Sequence, residues 1–156
     1  MLWIQPRQEP FPCLETIMTE DRRIQNEIRH GEYIKEHGEA VWNWSSPAGK
    51  LRWARRCGLF KEFIGNHKSL VLEIGCGTGL FTKELAATDN IIVAIDISEA
   101  LIKKAKERVH AQNVQFVAGN AYQTNFDSGC YDFIVGSSAL HHLEVDFALK
   151  AFSRIL

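Results

Sequence analysis

Apolar residues along this chain fall into two patterns, and the boundary between them lies near residue 67. Downstream, four short continuous runs stand out: Leu70-Val71-Leu72, Ile91-Ile92-Val93-Ala94-Ile95, Val114-Gln115-Phe116-Val117-Ala118 and Tyr131-Asp132-Phe133-Ile134-Val135. Continuous apolar runs of this length are what strands buried on both faces of a parallel sheet require. Helical spacing follows the first, second and fourth runs. After the first, an apolar helical pattern begins at Leu80 and Phe81. Ser98 suits the cap of the next helix, since Leu101, Ile102, Ala105 and Val109 follow at near-helical intervals. The chain ends at Phe152-Ser153-Arg154-Ile155-Leu156, within what the pattern makes a fourth helix.

Upstream the pattern is helical only. Thr19 can cap a short helix that carries Ile24 and Ile28 on one face and Tyr33 further along. Ser46 as cap and Pro47 at the first helical position open a second helix, with Gly58 as its end after Cys57. Met1 to Ile17 has three prolines and no period, and reads as a mobile leader before a start at Met18. The division expected is a leader at 1–17, a helical extension at 18–66, and a sheet-forming domain at 67–156.

Composition narrows the class. With 156 residues and 46% hydrophobic content the chain can bury one core. A net charge of −1 argues against a dominant nucleic-acid footprint. No apolar stretch approaches the ~20 residues of a membrane helix, and the start lacks the form of a secretory signal. Cys13, Cys57, Cys76 and Cys130 make no C-x-x-C pair and no metal-ligand spacing, so reduced thiols in a cytoplasmic protein are the plain reading.

The chemistry is concentrated in Leu70 to Thr82, LVLEIGCGTGLFT. A strand runs into Glu73, then glycines alternate at Gly75, Gly77 and Gly79 before the helix begins. Such a series lets the backbone turn sharply and lets a ligand approach without Cβ atoms in the way, beside the free N–H groups of a helix start. It is not a dinucleotide fingerprint, because the third glycine of G-x-G-x-x-G counted from Gly75 would fall at Leu80. Nor is it a P-loop, since no Lys-Ser or Lys-Thr follows. A glycine turn serving only strand–helix packing is the plain alternative. Asp96 ends the second run roughly 20 residues on, where a doubly wound fold places a carboxylate for ribose hydroxyls.

This E-x-G-x-G-x-G segment resembles motif I of the class I S-adenosylmethionine-dependent methyltransferases. Three later features extend the likeness in the right order: the Asp96 strand end, Ala118-Gly119-Asn120-Ala121 after the third run, and Ser137-Ser138-Ala139-Leu140-His141-His142-Leu143 after the fourth. The last is similar to motif IV of the small-molecule, methyltransferase type 11-like branch. The resemblance implies an α/β fold, a Rossmann-like parallel sheet with an N-terminal helical extension, and S-adenosylmethionine as cofactor. It implies that Glu73 anchors the methionine amino group and that Gly75, Cys76, Gly77 and Gly79 line the methionine end with their backbone. Asp96 would meet the ribose, Asn120 and the Ala121 amide the adenine, and the backbone around Ser137 the methionine part, with Ile97 a further cofactor-binding residue. His141 and His142 would stand where the acceptor meets the methyl group, as candidate bases; the alternative is that one packs and the other hydrogen-bonds. No metal is implied.

The Trp42–Arg56 segment, with Trp44, Trp53, Lys50, Arg52 and Arg55, would by the same resemblance lie over the cofactor. Alternatively its tryptophans pack the helices while its arginines are solvated. A complete class I domain has seven strands, and those after the fourth helix are missing here. The fourth strand is therefore expected at a sheet edge, open to a second copy or to a missing C-terminal half. The implied activity is methyl transfer to a small-molecule acceptor. A non-catalytic cofactor-binding remnant acting through a partner and an RNA methyltransferase are the weaker readings, and no membrane partner is implied.

Overall fold

The computed structural model describes residues 14–121 and 126–156. Residues 1–13 of the expected leader lie outside the described residues. Residues 14–17 do not: they belong to α1, which runs from Leu14 to Trp42 as one helix of 29 residues. Residue 19 is therefore inside a helix and not at its start, and Tyr33 sits on a long helix where a short one was expected.

A turn leads to α2 (Pro47–Ile64), opened as anticipated by Ser46, whose side chain accepts from the Gly49 N–H. It does not stop at Gly58. A Cβ there would meet only open space, so nothing breaks the helix until Gly65, at φ 62°, donates its N–H to the Lys61 carbonyl. After it come β1 (Leu70–Ile74), α3 (Leu80–Leu85), β2 (Ile91–Asp96), α4 (Glu99–Arg108), β3 (Val114–Ala118), β4 (Phe133–Val135), a single 3-10 turn at Leu140–His142, and α5 (Val145–Ile155).

The four strands are parallel in the order β3-β2-β1-β4, with Leu72 facing Val93 on one side and Ile134 on the other. This is the Rossmann-like arrangement, an α/β fold. Alternation along each strand separates two cores. Val71, Ile92, Ala94 and Val135 pack under α2, α3 and α4 against Ile64, Phe81, Leu85 and Ile102. Leu72, Ile74, Val93 and Ile95 pack on the other face against Tyr131 and the α5 residues Ala148, Phe152 and Ile155. Each fully buried Val, Leu, Ile or Phe among them contributes roughly 1.5–3 kcal/mol by leaving water. The strand expected over Tyr131–Val135 is regular only over Phe133–Val135; at Asp132 the backbone N–H donates to the Leu70 carbonyl at 2.9 Å while the side chain, in place of a backbone carbonyl, accepts from the Leu70 N–H at 2.7 Å. Among the described strands β4 pairs with β1 alone.

The two ends of the sheet differ in kind. At the amino ends, Asn90 is fully buried and bridges Ser69 N–H and the Gly65 carbonyl, while Asn113 donates to the carbonyls of Thr88 and Asn90. These two side-chain amides are thus paired by protein. At the carboxyl ends the chain leaves polar groups facing space. Strand order also reverses at that end, between β1 and β4, and such a switch point is where open α/β sheets bind ligands. No described helix is long and apolar enough to cross a membrane.

Candidate functional site

The loop after β1 is built from three glycines with positive φ: 65° at Gly75, 56° at Gly77 and 75° at Gly79. Side chains rarely adopt that region. Each also has a separate spatial reason. A Cβ on Gly75 would stand 2.9 Å from the Ala139 Cβ, and one on Gly79 3.0 Å from the Ala105 Cα. At Gly77 no atom of the described residues beyond its own chain neighbours lies within 4 Å of that position. Gly75 and Gly79 are glycine so that protein can pack, whereas Gly77 faces a void.

The loop is held from behind. The Cys76 N–H donates to the Ile95 carbonyl at 3.1 Å, Gly79 N–H donates to the Cys76 carbonyl, and Arg108 donates to the Thr78 carbonyl at 2.9 Å. It is held from in front by Asp96. One carboxylate oxygen accepts from Gly77 N–H and the other from Ser98 N–H, both at 2.9 Å. Ser98 is free to cap α4, accepting from Leu101 N–H. Each Asp96 oxygen keeps a lone pair for a further donor. Burial raises the Asp96 pKa; the two backbone hydrogen bonds oppose that, Glu27 adds to it and His142 works against it.

These elements enclose a cavity of about 410 Å³ at the carboxyl ends of the strands, within the range of small-molecule sites. Gly75, Gly77, Asp96, Ile97, Asn120, Ala121, Ser137, His141 and His142 line it. Three residues singled out in the sequence do not. Cys76 and Gly79 lie in the wall behind, and Glu73 opens instead onto a smaller adjoining cavity of about 60 Å³. Trp42, Gly75, Ser137 and Ser138 are common to both, so the two spaces adjoin.

Glu73 is the group with the strongest unmet demand. It is 1% exposed and its Oε2 has no hydrogen-bond partner. Burial pushes its carboxyl up to about 8, Asp96 adds to the shift, and a weak polar approach from Thr82, whose own hydroxyl is also unpartnered, works the other way.

Most of the cover over the large cavity comes from α1, while the Trp42–Arg56 segment lines the smaller cavity through Trp42, Trp44, Trp53 and Arg56. Arg23, Ile24, Glu27, His30 and Ile34 of α1 line the cavity, whereas α2 packs against α3 through Phe60 and Trp53 on Phe81. Only Trp42 of that segment reaches the large space. Sequence reasoning had put Ile24 on the apolar face and passed over Glu27, Gly31 and Ile34, although the intervals of three and four were there to read. Helix α1 is seated by Gly31, where a Cβ would come 2.6 Å from the Ser98 Oγ. It is tied to the loop after β4 by Glu27 with His142 Nδ1 at 3.0 Å and by Arg23 with Glu144 at 3.2 Å. His142 is thus engaged, while His141 is exposed beside it, ring centres 3.8 Å apart.

Since Ser98 is buried and caps α4, it cannot yield. Gly31→Leu is therefore expected to lift α1 from its seat at an overpacking cost of ~1–3 kcal/mol. Hydrogen exchange checks this: amides of α1 should lose protection while those of β1 and β2 keep theirs.

A family model described as a methyltransferase domain matches residues 71–156. Ubiquinone biosynthesis O-methyltransferase of Coxiella burnetii is 27% identical over 119 residues, 72% of this chain and 51% of that protein. The biotin biosynthesis bifunctional protein BioHC of Cellvibrio japonicus is 34% identical over 135 residues, 86% of this chain and 26% of its own length. The chain thus spans about half the length of the ubiquinone-pathway relatives it matches. Among solved structures, phosphoethanolamine N-methyltransferase 1 of Haemonchus contortus, in complex with phosphoethanolamine and S-adenosylhomocysteine, superposes with a TM-score of 0.75 at 22% identity. That match covers 93% of this chain and 32% of the other.

Proposed function

The chain belongs to the methyltransferase-domain family, and from that premise we propose that it is an S-adenosylmethionine-dependent methyltransferase acting on a small-molecule acceptor. The observation that carries this reading is the cavity of about 410 Å³ at the switch point, where Gly77, Asp96 and Asn120 face one space from three different strand ends. The residues fit the cofactor. Gly77 leaves a void where a side chain would stand, and buried Glu73 keeps an oxygen unpaired.

Asp96 would accept from the ribose hydroxyls. Asn120 would accept from the adenine amine through its carbonyl oxygen, with the Ala121 amide beside it and Ile97 as apolar wall. Glu73 would take the methionine ammonium and the Gly75–Gly79 loop the chain beside it. When bound, the cofactor supplies a methyl group on a sulfonium, open to in-line displacement by an acceptor nucleophile. What the protein adds is positioning, so neither a metal nor a covalent intermediate is needed for the step. For an acceptor whose nucleophile carries a proton, His141 at the rim is the base, because Glu27 occupies His142. The names of the ubiquinone and phosphoethanolamine relatives support a small acceptor. Free thiols at Cys57, Cys76 and Cys130 fit a cytoplasmic setting.

Titration with S-adenosylhomocysteine, followed by methyl transfer to a panel of small O- and N-acceptors, tests the reading. Binding with turnover supports it. Binding without turnover would instead make the chain a cofactor-binding part, and no binding would overturn the reading.

The Glu73 carboxyl adds a pH test. Its pKa, about 8 against a usual 4.5, means the free protein holds a proton there at pH 7. The resulting contribution to stability is present below pH 4.5 and is lost as pH rises through 8. An ammonium bound beside the carboxylate reverses the shift. Binding of S-adenosylhomocysteine at pH 7 should therefore release close to one proton. Calorimetry in buffers of different ionisation enthalpy reads this directly, and the release should vanish in Glu73→Gln.

A further inference from the structure

We propose that the outward face of α2 is a docking surface for an anionic lipid bilayer, with the helix lying in the plane of the interface. The inference is independent of the methyl-transfer reading, and the residues that carry it line neither cavity.

Helix α2 uses one face to join the protein: Cys57 and Ile64 are buried in the core, and Trp53 and Phe60 pack against it. The opposite face repeats every four residues, through Leu51, Arg55, Leu59 and Phe63. Residues four apart are neighbours on a helix, so these form one row ~18 Å long at 1.5 Å per residue. Its apolar members stand in solvent: Leu51 is 74% exposed, Leu59 58% and Phe63 66%. Gly58, beside the row, has nothing within 4 Å of where a Cβ would be. At its far end Phe63 is steadied by Phe133 of β4, ring centres 5.4 Å apart. Single exposed apolar residues are ordinary on a protein surface, but a run of neighbours marks an interaction site.

Charge identifies the partner. From Pro47 to Lys61 the helix carries Lys50, Arg52, Arg55, Arg56 and Lys61, and the first acidic residue is Glu62. Two of these cations are already engaged. Arg56 turns inward to donate to Ser137 Oγ at 2.8 Å and Ser138 Oγ at 3.1 Å, and Lys61 meets Glu84 at 2.8 Å. Lys50, Arg52 and Arg55 are exposed, and none pairs with a carboxylate among the described residues. Arg52 is held beside the row by the Trp44 ring, 5.8 Å from its centre. In a chain of net charge −1 this is a local excess. Lys50 and Arg52 also stand in the first turns of the helix, at the positive end of its dipole, where cations are disfavoured. An anionic partner reverses that penalty.

Acidic headgroups supply the charge, and the acyl boundary beneath them receives Leu51, Leu59 and Phe63. A nucleic acid would meet the arginines and offer nothing to the apolar row. A second copy face to face across a twofold would set Arg52 and Arg55 against their own kind. Lying in the interface requires no spanning helix.

Sedimentation with vesicles tests this on the whole chain. The parent should sediment with vesicles of phosphatidylcholine mixed with phosphatidylglycerol and not with phosphatidylcholine alone, and rising salt should weaken the binding. Leu59→Ser and Arg55→Glu should each weaken it roughly tenfold. Both positions are exposed, so circular dichroism and melting should match the parent. Leu149→Ser, at a similarly exposed position on α5 across the sheet, should bind like the parent. Equal sedimentation with both vesicle types would remove the role of charge, and sedimentation with neither would remove the surface. The proposal also falls if Leu59→Ser keeps full affinity, or if Leu149→Ser loses as much. A dimer in light scattering that Leu59→Ser dissolves would give the face to a second copy. RNA binding that Arg55→Glu abolishes and Leu59→Ser leaves intact would give it to a nucleic acid, and either result overturns the lipid assignment.

Discussion

Replacing Gly77 with valine is expected to leave a folded protein that no longer binds S-adenosylhomocysteine. Gly77 differs from its two neighbours in the loop in what a side chain would strike. At Gly75 and Gly79 the obstacle is protein, so substitution there should damage packing as well as binding. At Gly77 nothing of the described residues beyond its own chain neighbours stands within 4 Å, and the residue lines the large cavity. A branched side chain would therefore occupy ligand space and leave the core untouched. The φ of 56° adds backbone strain, of order 1–3 kcal/mol for a residue that resists that region. Gly77→Ala separates the two effects, because it has the strain and little of the bulk. The expected order of affinity is parent, alanine, valine, with valine weaker than parent by at least about a hundredfold, or ~3 kcal/mol. Circular dichroism and thermal melting confirm the fold in each case. A valine variant that folds and binds like the parent would remove the cradle from the account.

That the void at Gly77 can be named at all reflects which parts of this molecule are written locally. Strands β1 and β2 are buried on both faces, so they appear as apolar runs that a single window can read, and β3, half-buried at the sheet edge, keeps enough of the pattern to be read with them. The caps at Ser46 and Ser98 are equally local, each needing only one side chain and an amide three residues on. Other features depend on distant neighbours. Gly58 has the composition of a helix stop, but a residue stops a helix only if the backbone there turns, and the φ of 62° that does so belongs to Gly65. Helix α1 carries mostly polar residues, and its seat is set by Ser98, which the chain reaches only after two strands. The Arg56 bonds span 81 and 82 residues. No spacing rule reaches that far. The candidate site was thus legible where the ligand meets backbone at strand ends. It was silent where helices fold back over the ligand, since the sequence marks a loop that must turn and not the surface that will cover it.

Asp96→Ala is expected to weaken S-adenosylhomocysteine binding far more than His141→Ala, and for two separable reasons. The carboxylate would accept from ribose hydroxyls, and a hydrogen bond to a charged group is worth ~1.5–3 kcal/mol. The same carboxylate also ties Gly77 N–H and Ser98 N–H at 2.9 Å, so its loss frees the middle of the glycine loop and the start of α4. Asp96→Asn distinguishes these. The amide keeps one acceptor oxygen but turns an NH₂ group toward one of the two backbone donors, so one tie must break whichever way it is oriented. If ribose contact dominates, Asn should retain intermediate affinity, and a 2′,3′-dideoxy analogue of the ligand should lose its disadvantage in Asp96→Ala. If the ties dominate, Asn should resemble Ala, and the analogue should stay weaker than the parent ligand by the same factor in every variant. His141 stands exposed at the rim of the cavity, away from the ties that Asp96 makes to the loop and to α4. Its replacement should leave affinity near that of the parent and act, where the acceptor must lose a proton, on turnover alone. Equal affinity of Asp96→Ala and the parent would refute the ribose assignment, because no other acidic side chain among the described residues joins a strand end to the glycine loop in this cavity.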